Sequence, residues 1–370
     1  MPTELVIGYL QLKKDARYSR KRRRAEFLTQ PLGRPYSGAK IALSEVKFHG
    51  AKAGATFGLR RERPRDAAGV LEALDAMMGE GVNFFVMDLP AKTLAEVAKA
   101  TAGREIVLFN VSAREDALRG EQCQPHLLHI VPSQAMLSDA LAQRLISKKW
   151  KEVLVLVGPQ PADRAMAASF ERSAKRFGLD IADRREFELG NDPRKRSRNN
   201  IALLTANEDY DVVYVADSTG EFARDAPYNT IKARPIVGSG GLAAAAWHWA
   251  WERHGAPQLE NRFEETTNRH MRGEDWSAWM AVKAVAAAVQ RTESIDFAKL
   301  RDYLLSPDLI LDGFKGNRSN FRPWDRQLRQ PILLVTQNWV VDRAPIEGFL
   351  HRTNKLDTLG FDERDSPCKL

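Results

Sequence analysis

Residues 237–290 read VGSGGLAAAAWHWAWERHGAPQLENRFEETTNRHMRGEDWSAWMAVKAVAAAVQ, and the strongest structural signals of the chain lie in this segment. A predicted strand at residues 234–237 runs into a glycine turn, Gly-Ser-Gly-Gly, at 238–241. Such a turn at the carboxyl end of a strand is where an open α/β sheet exposes backbone donors to a ligand. Small residues follow, and then three tryptophans alternate: Trp247, Trp249 and Trp251. The combination predicts an opening that receives a planar molecule.

The second half of the segment predicts two helices after a Gly-Ala-Pro break at residues 255–257. The second helix carries large apolar side chains at helical spacing, and this pattern predicts a helix that is buried in a core. These side chains are Trp276, Trp279, Met280, Val282 and Val285.

Outside this segment, the chain alternates apolar runs with stretches of helical spacing. Near-continuous apolar runs indicate parallel strands that are covered on both faces of their sheet. The predicted strands are residues 5–10, 53–60, 83–88, 105–112, 152–157, 180–188 and 211–216. The predicted helices are residues 36–49, 64–78, 92–101, 132–150, 162–177 and 200–206. Two such series of similar size predict an α/β protein with two doubly wound lobes and a cleft between them.

Length and charge limit the classes of protein that fit. A chain of 370 residues is long for a single core and fits two lobes. No apolar run approaches the roughly 18 residues of a membrane helix, so we expect no membrane insertion. The net charge is +8, and its sharpest cluster, at residues 21–24, lacks the interleaved aromatics of a nucleic-acid binder. We therefore expect no nucleic-acid partner, a mostly solvated basic face, and a few cations that face an acidic ligand.

The sequence contains no arrangement of residues that is typical of catalysis. It has neither a Gly-x-Ser-x-Gly elbow nor a phosphate-binding Walker loop. Two histidine pairs, His126 with His129 and His248 with His254, lack a third metal ligand at a recognised spacing. Neither cysteine has an activating base nearby in the sequence. We predict that the protein is not an enzyme and that it holds no metal and no catalytic cofactor.

Several stretches carry a resemblance to a known family. They are the Trp-His-Trp run that begins at Trp247, Asp-Trp-Ser-Ala-Trp-Met-Ala-Val-Lys-Ala at 275–284, Asn-Phe-Arg-Pro-Trp-Asp-Arg-Gln-Leu-Arg-Gln-Pro-Ile-Leu-Leu at 320–334, and Leu-Asp-Thr-Leu-Gly-Phe-Asp at 356–362. With these stretches the chain resembles the periplasmic solute-binding proteins of ABC-transporter type, in the branched-chain amino-acid group with the type I fold. More narrowly, it is similar to the subgroup associated with pyrroloquinoline quinone (PQQ) and PQQ-dependent alcohol oxidation.

The resemblance implies that the chain crosses between the lobes three times, near residues 122–131, 246–256 and 318–330. The predicted domains are lobe one, 1–125 plus 253–322; lobe two, 126–252 plus 323–350; and a tail, 351–370, that returns to lobe one. The resemblance also implies a periplasmic location. No secretory signal precedes the first predicted strand, a start that fits a mature exported chain and a cytosolic chain equally.

The two cysteines, Cys123 and Cys368, each lie in a polar loop or tail rather than in an apolar run. Two unrelated thiols are the simplest interpretation, but free cysteines are among the most buried residue types, so these polar positions favour a disulfide. The resemblance points the same way, because it implies an oxidising periplasm. We predict a bridge that ties the tail back to lobe one.

The predicted ligand site consists of the loops that follow the strands and face the cleft. Cations on these loops would pair with carboxylates of a ligand, and tryptophans would stack on its rings. The candidate residues are Lys14, Arg17, Lys92, Ser112, Arg114, Arg164, Ser218, Ser239, Trp247 and Trp249. If the segment around the two tryptophans is extended, both share a face; if it is helical, only one reaches the cleft.

The resemblance implies PQQ, a planar aromatic tricarboxylate, as the bound ligand. We expect a monomeric periplasmic protein that captures PQQ for uptake through ABC-transporter membrane subunits or for delivery to PQQ-dependent alcohol dehydrogenases. The loop at 88–93 lacks the glycine and serine that hold the carboxylate of a free amino acid in this family. A binder of another acidic or aromatic small molecule, or of an amino acid, is the alternative within the same class. An enzyme or a ligand-gated regulator on the same lobes is the alternative from a different class.

Overall fold

Two parallel sheets organise the part of the chain that the computed structural model describes, residues 3–19, 32–190 and 193–370. The strands of the first sheet are β1 (Thr3–Gln11), β2 (Ala55–Glu62), β3 (Phe84–Asp88), β4 (Val107–Asn110) and β5 (Leu127–His129). Those of the second are β6 (Glu152–Val157), β7 (Asp180–Glu186), β8 (Val212–Ala216) and β9 (Ile236–Gly238). The spatial orders are β2-β1-β3-β4-β5 and β7-β6-β8-β9. The basic cluster at 21–24 lies outside the described residues.

The helices within the described residues cover both faces of each sheet. They are α1 (Tyr36–Glu45), α2 (Ala67–Gly79), α3 (Ala91–Ala100), α4 (Gln134–Ser147), α5 (Pro161–Phe177), α6 (Ile201–Leu204), α7 (Ala226–Asn229), α8 (Ala256–Thr267), α9 (Gly273–Thr292) and α10 (Phe297–Leu305). Helices α1 and α8 to α10 pack on one face of the first sheet, and α2 and α3 pack on the other. On the second sheet, α4 and α5 lie opposite α6 and α7. The predicted lobes follow this division, although their residue limits stay a prediction.

Helix α9 is the core helix that the sequence predicts. All five of its large apolar side chains are completely buried. The two indoles among them still find hydrogen-bond acceptors, since Trp276 donates to the Gly313 carbonyl and Trp279 donates to the Glu45 carboxylate. A Cβ at Gly38 would lie 2.0 Å from the Asp275 carbonyl oxygen, so only glycine allows α1 to approach α9 this closely.

A third, antiparallel sheet lies where the chain passes between the lobes. Its strands are β10 (Ala243–Ala245), β13 (Ile332–Val335) and β14 (Val340–Ala344), in the order β10-β13-β14. A short antiparallel pair, β11 (Leu311–Asp312) with β12 (Arg318–Ser319), lies between β10 and β13 along the chain. The sequence analysis assigned no element to α10 or to β11–β14.

Buried polar side chains join the three segments that are predicted to cross between the lobes. The ammonium group of Lys315 donates to the carbonyls of Ala246 and Pro331 and to the side chain of Gln330. Gln330 in turn donates to the carbonyl of Ile130. Burial lowers the pKa of Lys315 well below its usual value, and its ammonium lies 3.8 Å from the centre of the Trp276 ring. One lysine and one glutamine therefore connect the first, second and third crossings.

The tail packs against both halves of the molecule, and the predicted disulfide between Cys123 and Cys368 is confirmed. Next to β13, the carboxylate of Asp357 accepts hydrogen bonds from two arginines, Arg322 and Arg329. Further along the tail, the backbone N–H of Gly360 donates to Asp139 of α4. The disulfide thus attaches the tail just before β5 of the first sheet, and the hydrogen bond of Gly360 attaches it to α4, which packs on the second sheet.

Three local predictions need correction. The crossing predicted at 122–131 contains β5, because Leu127 and Leu128 are fully buried and pair with β4 in the first sheet. The helix predicted at 64–78 begins at Ala67, since the side chain of Asp66 accepts the backbone N–H of Gly69 and caps it. The tryptophan-rich segment after β10 is neither a strand nor a helix.

Candidate functional site

The carboxyl ends of β1 and β3 bring polar side chains together on one face of the first sheet. The strand register places Gln11 beside Asp88 and Tyr9 beside Arg61. Tyr9 and Gln11 lie two residues apart on β1, so they share a face. That face is the one covered by α1 and α9. Parallel pairing alone therefore assembles a hydroxyl, an amide, a carboxylate and a guanidinium.

Asp88 is the centre of this group and is completely buried. Its Oδ1 accepts hydrogen bonds from Tyr18 at 2.9 Å and from Arg17 at 3.2 Å. Its Oδ2 lies 3.7 Å from a terminal nitrogen of Arg34, too far for a normal hydrogen bond. Burial raises the pKa of Asp88, whereas Arg17, the hydroxyls of Ser112 and Tyr18, and Arg34 act in the opposite direction.

The guanidinium of Arg17 is neutralised by protein carboxylates. It pairs with Asp15 at 2.7 Å and with Asp88, and it also donates to the hydroxyl of Ser112 at 2.9 Å. Burial by itself would lower the pKa of Arg17, whereas Tyr18 and the two carboxylates raise it above its usual value. The sequence analysis selected Arg17 and Ser112, and the structure brings them together. Their hydrogen bonds with each other and with Asp15 organise the loop after β1.

Arg114 is compensated in a similar way. It pairs at 2.6 Å with Glu274, which lies in the first turn of α9. Burial would raise the pKa of Glu274, but Arg114 and other cations lower it to about 2, so this carboxylate is ionised at neutral pH. The sequence analysis missed Glu274, because 160 residues separate it from Arg114.

Two arginines that the sequence analysis did not select are less fully compensated. Arg34 lies over the ring of Tyr18 at 4.4 Å, and Arg61 lies over the ring of Tyr36 at 4.2 Å. Within the described residues Arg61 has no ion-pair partner. Burial and the nearby cations Arg63 and Arg34 lower its pKa. Two sequence features could have identified these arginines as candidates. Arg61 follows Arg60 near the end of β2, and Arg34 precedes Pro35 just before α1.

Several buried polar atoms of this group have no hydrogen-bond partner in the described part of the chain. They are the hydroxyl of Tyr9, both amide atoms of Gln11, Oδ2 of Asp88, a terminal nitrogen of Arg34 and Nε of Arg61. Buried polar groups are nearly always hydrogen-bonded in folded proteins, so such a concentration indicates a binding site. We call this set, with Tyr18 and Tyr36, the arginine–tyrosine cluster.

The candidate residues of the second sheet support their own loops. The hydroxyl of Ser239 accepts the backbone N–H of Asp217, and the backbone N–H of Ser218 donates to the buried carboxylate of Asp163. The guanidinium of Arg164 is exposed and donates to the carbonyl of Pro159. The other two candidate cations, Lys14 and Lys92, are exposed.

The two tryptophans predicted to face a ligand lie in different environments. Trp247 is only 3% exposed and belongs to the core around α9, where its indole donates to the carboxylate of Glu260. Trp247 therefore packs in the core around α9, and its contact with a ligand stays a prediction. Trp249 is half-buried and stacks on His270, with 4.6 Å between ring centres.

This difference predicts unequal effects of matched substitutions. Trp247→Phe should lower the free energy of unfolding by about 1–3 kcal/mol, because the largely buried Glu260 loses a hydrogen-bond donor. Trp249→Phe keeps an aromatic ring opposite His270 and should change stability by less than about 0.5 kcal/mol. Urea denaturation curves measure both values. Equal losses in the two variants would contradict the assignment of Trp247 to the core.

A groove of about 520 Å³ lies elsewhere, between residues 250–254 and 339–347. Its lining contains none of the buried, unpartnered polar atoms, so we place the candidate site at the arginine–tyrosine cluster instead.

The described residues include no group of three or more histidine, cysteine or acidic side chains that could hold a metal ion. Among the described helices, none combines the length and the apolar character needed to span a membrane.

Comparison with known proteins identifies the family. The sequence model described as "Periplasmic binding protein" matches residues 37–224, just over half of the chain. No curated protein matches the sequence significantly. Solved structures match the whole fold, at sequence identities that carry information about the fold alone.

Three of these structures illustrate the range. A branched-chain amino acid ABC transporter periplasmic ligand-binding protein from Burkholderia xenovorans has a TM-score of 0.72 and 13% identity, covering 92% of this chain and 95% of that one. An ABC transporter solute-binding protein from R. palustris in complex with benzoate has a TM-score of 0.66 and 12% identity, with 99% and 100% coverage. A branched-chain amino acid transporter substrate-binding protein from Streptococcus pneumoniae in complex with isoleucine has a TM-score of 0.66 and 15% identity, with 92% and 99% coverage.

The family match and the shared architecture agree with each other. The predicted fold class, an α/β type I periplasmic binding protein with parallel sheets, is confirmed. The narrower resemblance to the PQQ-associated subgroup stays a prediction. This chain belongs to the periplasmic binding protein family.

Proposed function

We propose that this protein captures PQQ at the carboxyl edge of the first sheet, between the two lobes. It delivers PQQ to ABC-transporter membrane subunits or to a PQQ-dependent alcohol dehydrogenase, as a periplasmic monomer without catalytic activity. The observation that carries the proposal is the pair of incompletely compensated guanidinium groups, Arg34 and Arg61, beside the rings of Tyr18 and Tyr36. PQQ is planar and carries three carboxylates, so it offers both partners that this surface requires.

The charge balance of the site favours an anionic ligand. Arg17 pairs with Asp15 and Asp88, and Arg114 pairs with Glu274, so these charges largely cancel. Among the described residues, Arg34 and Arg61 have one distant carboxylate oxygen between them, Oδ2 of Asp88 at 3.7 Å from Arg34. An entering carboxylate would accept charge-assisted hydrogen bonds from the two guanidinium groups.

The loop after β3 argues against an ordinary amino acid as the ligand. Asp88 ends β3, Leu89 is fully buried, and Pro90 precedes α3, so proline removes one backbone donor from this loop. Two alternative ligands correspond to those of structurally similar proteins. An amino acid corresponds to the isoleucine of one complex, and another aromatic acid corresponds to the benzoate of the other.

Titration of the purified protein with PQQ tests the proposal. We expect a saturable change in the PQQ absorbance spectrum, with much weaker binding of leucine, glutamate and benzoate by calorimetry. Arg61→Gln should weaken PQQ binding about ten- to hundredfold, because a charge-assisted hydrogen bond contributes about 1.5–3 kcal/mol. The exposed Arg164→Gln serves as the control and should bind PQQ as the wild type does. Preference for leucine or benzoate over PQQ would replace the proposed ligand.

A further inference from the structure

We propose that the arginine–tyrosine cluster also reads a neutral N–H group on its ligand. Asp88, with Gln11 beside it, would accept this N–H, while Arg34 and Arg61 bind an adjacent carboxylate. The ligand class is then a planar heteroaromatic acid whose ring N–H lies next to its carboxylate. This inference rests on the proposed function, since it concerns the same site, but it can fail independently of that function.

The two carboxylate oxygens of Asp88 differ in their hydrogen-bond partners. Oδ1 accepts two hydrogen bonds, from Tyr18 and Arg17. Oδ2 is also buried and accepts no hydrogen bond from the described residues, and a terminal nitrogen of Arg34 lies 3.7 Å from it. Gln11, which pairs with Asp88 in the strand register, adds an unpartnered amide oxygen and an unpartnered amide N–H. The site therefore contains acceptors that require a donor from the ligand.

The charges around Asp88 decide which kind of donor fits. Arg17 and Arg34 already face this carboxylate, and Arg61 lies on β2, on the other side of β1. The other carboxylates of the region are paired, since Glu274 binds Arg114 and Asp275 binds Arg269. An ammonium group would enter beside at least two guanidinium groups, and the carboxylates described around it, Asp88 included, already face arginines. A neutral N–H satisfies Oδ2 without this repulsion.

The guanidinium groups decide what lies next to that N–H. Unpartnered nitrogens of Arg34 and Arg61 are donors that require an anionic acceptor. Arg34 lies over the ring of Tyr18 and Arg61 over the ring of Tyr36, and Tyr36 also meets the edge of Tyr9, with 5.0 Å between ring centres. Because a terminal nitrogen of Arg34 lies 3.7 Å from Oδ2 of Asp88, a carboxylate bound by Arg34 would lie next to the N–H that Asp88 accepts, on one planar group. A pyrrole-2-carboxylate unit has this arrangement, and PQQ contains such a unit.

A matched pair of small ligands tests, in the wild-type protein, whether the cluster recognises a ligand N–H. Pyrrole-2-carboxylate and furan-2-carboxylate have the same shape and charge, but furan presents a ring oxygen where pyrrole presents N–H. We expect the wild-type protein to bind pyrrole-2-carboxylate about ten- to hundredfold more tightly, because furan would place an acceptor against the buried Oδ2. Competition against bound PQQ, followed by absorbance, gives both affinities on one scale.

The variant Asp88→Asn should remove or reverse this preference. Arg17 and Tyr18 keep the amide oxygen on their side, so the amide N–H₂ takes the position of Oδ2 and donates to the furan oxygen. Thermal unfolding of the variant checks that it folds, and the wild-type comparison stands if it does not. The inference would be overturned by equal affinities for the two acids, or by no competition from either at millimolar concentration. In both cases, binding of PQQ by the wild type would leave the proposed function standing. Absence of PQQ binding in the wild type would overturn both.

Discussion

Replacement of Asp357 by alanine is expected to lower the free energy of unfolding by about 3–5 kcal/mol, because it removes the carboxylate that two largely buried guanidinium groups share. Asp357 is completely buried and accepts hydrogen bonds from Arg322 and Arg329 at 2.8 Å each. Arg322 is itself fully buried, so water cannot replace the lost partner. Chemical denaturation of the purified variant, at matched protein concentration, measures the loss.

An exposed ion pair provides the control for this experiment. Lys52 and Glu293 lie 2.8 Å apart, but their side chains are 75% and 54% exposed. Glu293→Ala should therefore change stability by no more than about 1 kcal/mol. A loss of comparable size in Asp357→Ala would show that the tail is not held by its buried ion pairs.

Loss of the disulfide is the second large effect that we expect. Cys123 and Cys368 are 245 residues apart, and the bridge closes a loop that spans most of the chain. The chain-entropy treatment gives about 5 kcal/mol for such a loop as an upper value, and removal of native disulfides typically costs about 2–5 kcal/mol. Cys368→Ser and treatment of the wild type with a reductant should therefore lower the denaturation midpoint by similar amounts.

Thiol counting on the unreduced, denatured wild type provides an independent check of the bridge. No reactive thiol is expected before reduction and two are expected after it. Two reactive thiols before reduction would contradict the disulfide.

Because Asp357 and Cys368 hold the same tail, the double variant should lose less stability than the sum of the single losses. Full additivity would mean that the two attachments act independently.

Much of the fold could be predicted from local patterns in the sequence. The apolar runs that became β3, β6 and β8 and the helical spacing of α9 are properties of short segments, and burial of one face determines their structure. The three-residue β5 was not predictable in this way. Its residues show no period of their own, and pairing with β4 makes them a strand.

The candidate site could be predicted only in part, because its chemistry depends on which charges meet. The sequence placed cations on the loops after the strands, and Arg17 and Arg114 do lie there. Only the tertiary structure pairs Arg114 with Glu274, 160 residues away, and leaves Arg61 without a carboxylate partner among the described residues.

The environment of each tryptophan was likewise decided in three dimensions. Trp247 and Trp249 are one residue apart in an irregular segment, where no periodicity assigns a face. Packing against α8 and α9 buries Trp247, and stacking on His270 leaves Trp249 half-buried. The sequence by itself therefore determined the type I fold, the core helix and the kind of side chains available to a ligand. The tertiary structure decided which of those side chains stay unpaired, because hydrogen bonds and ion pairs depend on distances between segments far apart in the chain.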